Sequence, residues 1–186
     1  CVIYDEKHFN SQVTLFGKND SCKRDTIFYS QIGFENHIPD FSYDSAKTDT
    51  SHFHLGKHSL NIESKNEFCI TLKTSVKKLF TDNSECVNVS AWIHPNEMFN
   101  AQFVMEVGDS QGKIEWQAKL LSQFAKNVGQ WQEVFATFEL PSSTYPDDEV
   151  KIYLWNHGKN SFYLDDFTIS SYADSKYDYY QITFRK

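Results

Sequence analysis

Eleven short β-prone runs, each followed by turn chemistry, constrain this chain more than any other feature. They lie at 13–16, 26–32, 59–63, 68–74, 86–94, 101–107, 113–120, 131–140, 150–156, 162–170 and 179–184. Between them come Asp82-Asn83-Ser84, Pro95-Asn96, Gly108-Asp109, Gly129-Gln130, Pro141-Ser142 and His157-Gly158, residues that favour turns through their backbone freedom or local hydrogen bonding. Many short strands at this spacing predict an all-β, antiparallel β-sandwich with jelly-roll topology. A helical spacing of Leu120, Leu121 and Phe124 predicts a turn of helix within 119–127, and the polar stretch 36–50 reads as a loop. Residues 1–30 read as an N-terminal arm or linker strand and 31–186 as the jelly-roll domain.

Strand alternation assigns faces. Side chains two apart share a side, so Val87, Val89, Ala91 and Ile93 point one way, and Asn88, Ser90, Trp92 and His94 the other. In 150–156, Val150, Ile152 and Leu154 oppose Lys151, Tyr153 and Trp155; in 101–107, Gln102 and Glu106 oppose the apolar set. A single outer face carrying Trp92, Tyr153, Trp155, Asn88, Gln102 and Glu106 suits a glycan, because flat rings stack on sugar C–H faces while polar groups bond hydroxyls. The competing reading has Phe28 and Tyr29 of the arm covering that face. Trp131 follows a Gly-Gln turn and is expected in the core.

The run Phe162-Tyr163-Leu164-Asp165-Asp166-Phe167-Thr168-Ile169 places two carboxylates in an apolar strand. Uninterrupted alternation puts Tyr163, Asp165, Phe167 and Ile169 on one side and Asp166 with Phe162 and Leu164 on the other. A buried charge needs a partner. For Asp165 the candidates are a cation, backbone amides or Lys57.

Five segments then resemble a known family in order and spacing: Gly33-Phe34-Glu35-Asn36, His54-Leu55-Gly56-Lys57-His58-Ser59-Leu60, Val87-Asn88-Val89-Ser90-Ala91-Trp92-Ile93, Gly129-Gln130-Trp131-Gln132 and Tyr163-Leu164-Asp165-Asp166-Phe167. They resemble the jelly-roll, galactose-binding-like carbohydrate-binding modules of families four, nine and twenty-two. The likeness extends to accessory domains of exported or membrane proteins of the Bacteroidetes, and it spans roughly residues 33–170. It implies a non-catalytic module that binds a polysaccharide or oligosaccharide in an extracytoplasmic setting, acting as a monomer. The alternative is a structural or interaction domain of the same fold, accessory to a surface or membrane protein. The resemblance also implies a structural calcium held by Glu35, Asp165 and a backbone carbonyl at Gly56 or Lys57, with Asp166 as the substitute carboxylate.

Other chemistries find little support. The formal net charge is −7 and Lys and Arg are scattered singly, which argues against a nucleic-acid partner. No apolar run approaches the ~20 residues of a membrane-spanning helix. No Gly-x-Ser-x-Gly elbow occurs, and Asp165 and Asp166 are adjacent, unlike the separated carboxylates of a glycosidase. His52, His54 and His58 lack a third ligand at zinc spacing and read as hairpin histidines. Cys69 and Cys86 are expected as small buried strand residues, and Cys1 fits either an acylated lipoprotein cysteine or the start of an excised piece.

Overall fold

A computed structural model of the chain describes residues 2–3, 14–17, 25–81, 86–109, 111–112, 114–142, 144–173 and 180–183. The strands are β1 (Val2–Ile3), β2 (Thr14–Gly17), β3 (Asp25–Ile32), β4 (Phe41–Tyr43), β5 (Thr48–Asp49), β6 (Ser59–Ile62), β7 (Phe68–Ser75), β8 (Cys86–Pro95), β9 (Gln102–Gly108), β10 (Ile114–Leu120), β11 (Gln132–Glu139), β12 (Glu149–Trp155), β13 (Phe162–Ala173) and β14 (Tyr180–Thr183), with one helical turn, α1 (Val76–Leu79). One sheet has five strands in the order β10-β9-β12-β7-β4. The other runs β11-β8-β13-β6-β5, and β3 pairs with β13 to make its sixth strand. All pairings are antiparallel, and the architecture is the expected β-sandwich jelly roll. β1, β2 and β14 form a separate three-stranded sheet.

The core lies between the two large sheets and is built from the inward halves of the alternating strands. Val87, Val89, Ala91 and Ile93 of β8 face Val150, Ile152 and Leu154 of β12 across it, all essentially without solvent contact. Phe103 and Phe41 each meet Phe167 edge to face at 5.8 Å. Each such buried side chain contributes roughly 1.5–3 kcal/mol. Cys69 is buried, and burial pushes its thiol up to about 12. Cys86, expected inside, is exposed because it opens β8 at the rim.

Three local expectations change. On β13, Phe162, Leu164, Phe167 and Ile169 all enter the core, so uninterrupted alternation fails. The pairing with β8 shifts register between Asp165 and Thr168, and Asp166 takes φ 49°. This bulge inserts one residue and flips the phase, returning Phe167 to the side of Leu164; aspartate tolerates the left-handed backbone better than most residues. The stretch 36–50 is more than a loop. It contains β4, β5 and a 3₁₀ turn over Ser45–Lys47 capped by the Asp44 side chain, which accepts from the Ala46 amide. At 119–127, Leu120 closes β10 and a turn follows, with Phe124 and Ala125 both donating to the Leu121 carbonyl.

β3 straddles the expected arm boundary at residue 30. It lies alongside the second half of β13, while β6 pairs with the first half on the same edge. Phe28 packs against the core and Tyr29 is exposed. Both belong to the six-stranded sheet, so neither covers the outer face of the other sheet.

Candidate functional site

The outer face of the five-stranded sheet is ordered by register into three rows. Trp116, Glu106, Lys151 and Lys73 stand opposite one another from β10 to β7. Ala118, Val104, Tyr153 and Thr71 form the second row, and Leu120, Gln102, Trp155 and Phe68 the third. The third row depends on a bulge between Leu154 and Trp155 that turns Phe68 to the surface, where it is 63% exposed.

These side chains form a connected aromatic and polar surface. The Trp116 and Trp155 rings lie 6.3 Å apart at 74°, and Trp116 is half exposed. The Trp155 indole donates to Glu67 Oε1 at 3.2 Å, and its ring lies 5.3 Å from His157. Tyr153 is buried beneath them, donates to Glu106 Oε1 at 2.7 Å and packs edge-on against Phe68. Burial, reinforced by the Glu106 carboxylate, pushes the Tyr153 phenol up to about 12. Lys73 and Lys151 both pair with Glu149. The face therefore offers two ring planes and several hydrogen-bonding groups rather than a concentrated charge.

The turn after β12 is held rigidly at the end of this face. Asn156 donates to the Asn66 and Asn160 carbonyls and accepts from the Asn160 amide. Gly158 passes so close to the Asn100 carbonyl that a Cβ would collide with it. This places His157 beside Gln102, with Nε2 of the ring 3.1 Å from the Gln102 amide nitrogen.

The six residues expected on one face divide between two sheets. Tyr153, Trp155, Gln102 and Glu106 stand together on the five-stranded sheet, while Trp92 and Asn88 belong to β8 on the opposite outer face. Alternation fixes which way a side chain points within its sheet but not which sheet its strand joins. Sequence reasoning missed Trp116, Phe68, Glu67 and His157. Trp116 alternates in step with Glu106 and was findable from that pairing; Phe68 depends on a bulge that leaves no sequence mark.

On the six-stranded sheet the aromatic groups are roofed. The segment between β5 and β6 lays His54 flat on Trp92, with ring centres 3.7 Å apart at 11°, and His52 on Tyr163 at 4.4 Å and 15°. His94 and Trp131 pack edge to face at 5.4 Å beside them. Trp131 is thus part of this outer cluster rather than the core. Asn88 accepts from the Thr137 hydroxyl at 2.8 Å.

The same segment satisfies the carboxylates. Asp165 is fully buried; its Oδ2 accepts from the His54 and Leu55 amides at 2.9 and 3.2 Å, and its Oδ1 from the Asp166 amide at 2.8 Å. Burial lifts its carboxyl to about 6 despite these bonds, with the Asp166 charge adding to the rise. Asp166 meets His54 Nδ1 at 2.9 Å and Gln31 Nε2 at 3.2 Å. Glu35 Oε1 accepts from the Lys57 and His58 amides at 2.6 and 2.9 Å, its Oε2 meets His58 Nδ1 at 2.8 Å, and these bonds hold its carboxyl below the usual range. Gly56, at φ 72°, permits the approach, since a Cβ there would run into the Glu35 carboxylate.

In this structure the carboxylates expected to hold calcium meet amide and imidazole groups. Calcium takes six to eight oxygen ligands, but the oxygens of Glu35 and Asp165 are directed at nitrogen donors. Lys57 meets Glu35 through its amide N–H. Among the described residues no three His, Cys, Asp or Glu side chains converge as metal ligands. Backbone amides, one of the partners open to Asp165 in the sequence, are present.

No protein-family model matches this chain, and no curated protein matches it. Solved structures do. The first xylan-binding domain (CBM22-1) of Paenibacillus barcinonensis Xyn10C is 16% identical, with a TM-score of 0.53 over 82% of this chain and 97% of that one. A family 22 xylan-binding domain formerly called x6b is 14% identical, with a TM-score of 0.54 over 80% of this chain and 96% of that one. The C-terminal family 22 carbohydrate-binding module of Clostridium thermocellum Xyn10B is 13% identical, with a TM-score of 0.51 over 80% and 95%. At these identities the likeness establishes a shared fold, the jelly roll of carbohydrate-binding modules, across nearly the whole of each relative.

Proposed function

We propose that this domain is a non-catalytic carbohydrate-binding module, working outside the cytoplasm, and that a polysaccharide chain lies across the outer face of its five-stranded sheet. The observation that carries this reading is the pairing of Trp116 and Trp155, partly exposed and 6.3 Å apart, beside Glu106, Gln102 and Glu67 on one continuous surface. Rings of this kind stack on sugar C–H faces, and the neighbouring acceptors suit hydroxyl groups. The fold supports it, because the similar structures are described as xylan-binding domains. Glu106 and Glu67 act here as acceptors for Tyr153 and Trp155, an arrangement that serves binding rather than proton transfer. Trp92 is left out of the ligand face, since His54 covers it.

Affinity electrophoresis in gels containing xylan, mixed-linkage glucan, hydroxyethyl cellulose or mannan tests the reading. Retardation by at least one polysaccharide, lost in Trp155→Ala while the fold is kept, is the expected result. Free migration in every gel would favour the alternative, a structural or interaction domain accessory to a surface or membrane protein. Calcium is retained only as a proposal about the Glu35 and Asp165 hairpin, which chelation decides.

A further inference from the structure

Gln102 has an unusual position on the proposed glycan face. Its amide nitrogen meets His157 Nε2 at 3.1 Å, while its carbonyl oxygen is buried with no hydrogen-bond partner. An orphaned buried acceptor costs about 1–3 kcal/mol. It also leaves an acceptor ready for a donor that arrives later. The cross-strand neighbours of Gln102 are Trp155 and Leu120, both partly exposed, and exposed side chains change rotamer within nanoseconds. A shift of these two side chains would open the oxygen to a hydroxyl laid across the row.

The partner of the amide nitrogen controls that oxygen. A neutral imidazole whose Nε2 carries no hydrogen accepts from the amide N–H, which turns the carbonyl away from the ring. Protonated, both ring nitrogens are donors, and Nε2–H requires an acceptor. The Gln102 amide must then reverse, and its carbonyl is consumed by the imidazolium in a charge-assisted bond. The Asn156, Asn160 and Gly158 contacts hold the backbone of the His157 turn and keep the ring within reach of Gln102.

From this geometry we infer that His157 is a positioning residue that presents the Gln102 carbonyl oxygen to a glycan hydroxyl when neutral and withdraws it when protonated. The inference rests on the proposed binding face and adds its regulation: the module releases glycan in acid. Imidazole is the side chain that ordinarily changes charge between about pH 5 and pH 8. Other titratable groups on the surrounding elements are Glu67, bonded to the Trp155 indole; Glu106, bonded to Tyr153; Glu97, bonded to the Ser161 amide; and Lys159 in the same turn.

The test is isothermal titration of xylohexaose across about pH 8 to pH 5, with His157→Gln and Gln102→Met as variants. Wild-type affinity should fall about five- to tenfold toward acid, the equivalent of one hydrogen bond. His157→Gln should lose the slope, whatever its affinity at neutral pH. Gln102→Met should match the acid wild type at every pH. A slope that survives in His157→Gln, or a flat wild type, overturns the inference. Side-chain amide NMR of the free protein separates the two proposals. If no polysaccharide retards the protein, Gln102 amide signals that shift in step with the His157 ring sustain the reversal while the binding reading fails; amide signals unmoved by pH overturn the reversal.

Discussion

Trp92 and Trp155 occupy comparable places on opposite sheets, each turned away from the core, yet their surroundings differ. Trp92 lies under His54 at 3.7 Å, in a cluster closed by His52, His94, Tyr163 and Trp131. Trp155 faces Trp116 edge-on, has His157 at 5.3 Å, and carries no ring stacked flat upon it among the described residues. Alternation delivers aromatic rings to both outer faces. What decides their use is the segment between β5 and β6, which crosses one face and ties itself down through Asp165. One face is thereby converted into a second, smaller core, and the other is left available for a ligand.

The largest way to break this comparison is to remove the tie. Asp165→Ala strands three amide donors, those of His54, Leu55 and Asp166, and should destabilise the fold by about 3–5 kcal/mol in urea denaturation. An effect below about 1 kcal/mol would mean the roof holds without it.

The two tryptophans provide a matched pair of smaller effects. Trp92→Ala should lower stability by about 2–3 kcal/mol while glycan retardation in affinity gels is unchanged. Trp155→Ala should weaken binding about ten- to a hundredfold and move the unfolding midpoint little. Reversed outcomes would exchange the roles of the faces.

Acidity sharpens the picture of the tie itself. Folding lifts the Asp165 carboxyl from 3.8 to about 6, so the folded chain holds this proton more tightly than the unfolded chain. Its contribution is fully present below about pH 4 and is lost as pH rises through about 6, an effect of about 3 kcal/mol. Glu63 acts in the opposite sense. Lys47 and Lys65 lower its carboxyl to about 2, so its contribution is present above 4.5 and lost as pH falls toward 2. Urea midpoints should therefore rise from pH 7 to about 4.5, and the rise should vanish in Asp165→Asn. The smallest expected effect is that of a chelator. With calcium proposed at Glu35 and Asp165, EDTA should lower the melting temperature slightly, and an unchanged melting curve would remove calcium from this hairpin.

Much of this was legible in the chain. The eleven runs each overlap a strand of the structure, because alternating apolar residues and turn punctuation are local signals. Phe41-Ser42-Tyr43 and Thr48-Asp49 were not legible as strands, since both are too short to show a period and are held by pairing with β7 and β6. The bulge at Asp166 was hidden because it depends on what Asp165 binds across the sheet. The site was half legible: Tyr153, Trp155, Gln102 and Glu106 came from parity, whereas Trp92 was misplaced because parity carries no information about sheet membership. The roof over Trp92 is a tertiary contact between segments about forty residues apart, which no local pattern records.

The most direct test is affinity electrophoresis of Trp155→Ala and the milder Trp92→Phe in parallel, on whichever polysaccharide retards the wild type. Free migration of Trp155→Ala together with full retardation of Trp92→Phe is the predicted result. Full retardation of folded Trp155→Ala, or lost retardation in folded Trp92→Phe, would contradict the assignment of the binding face.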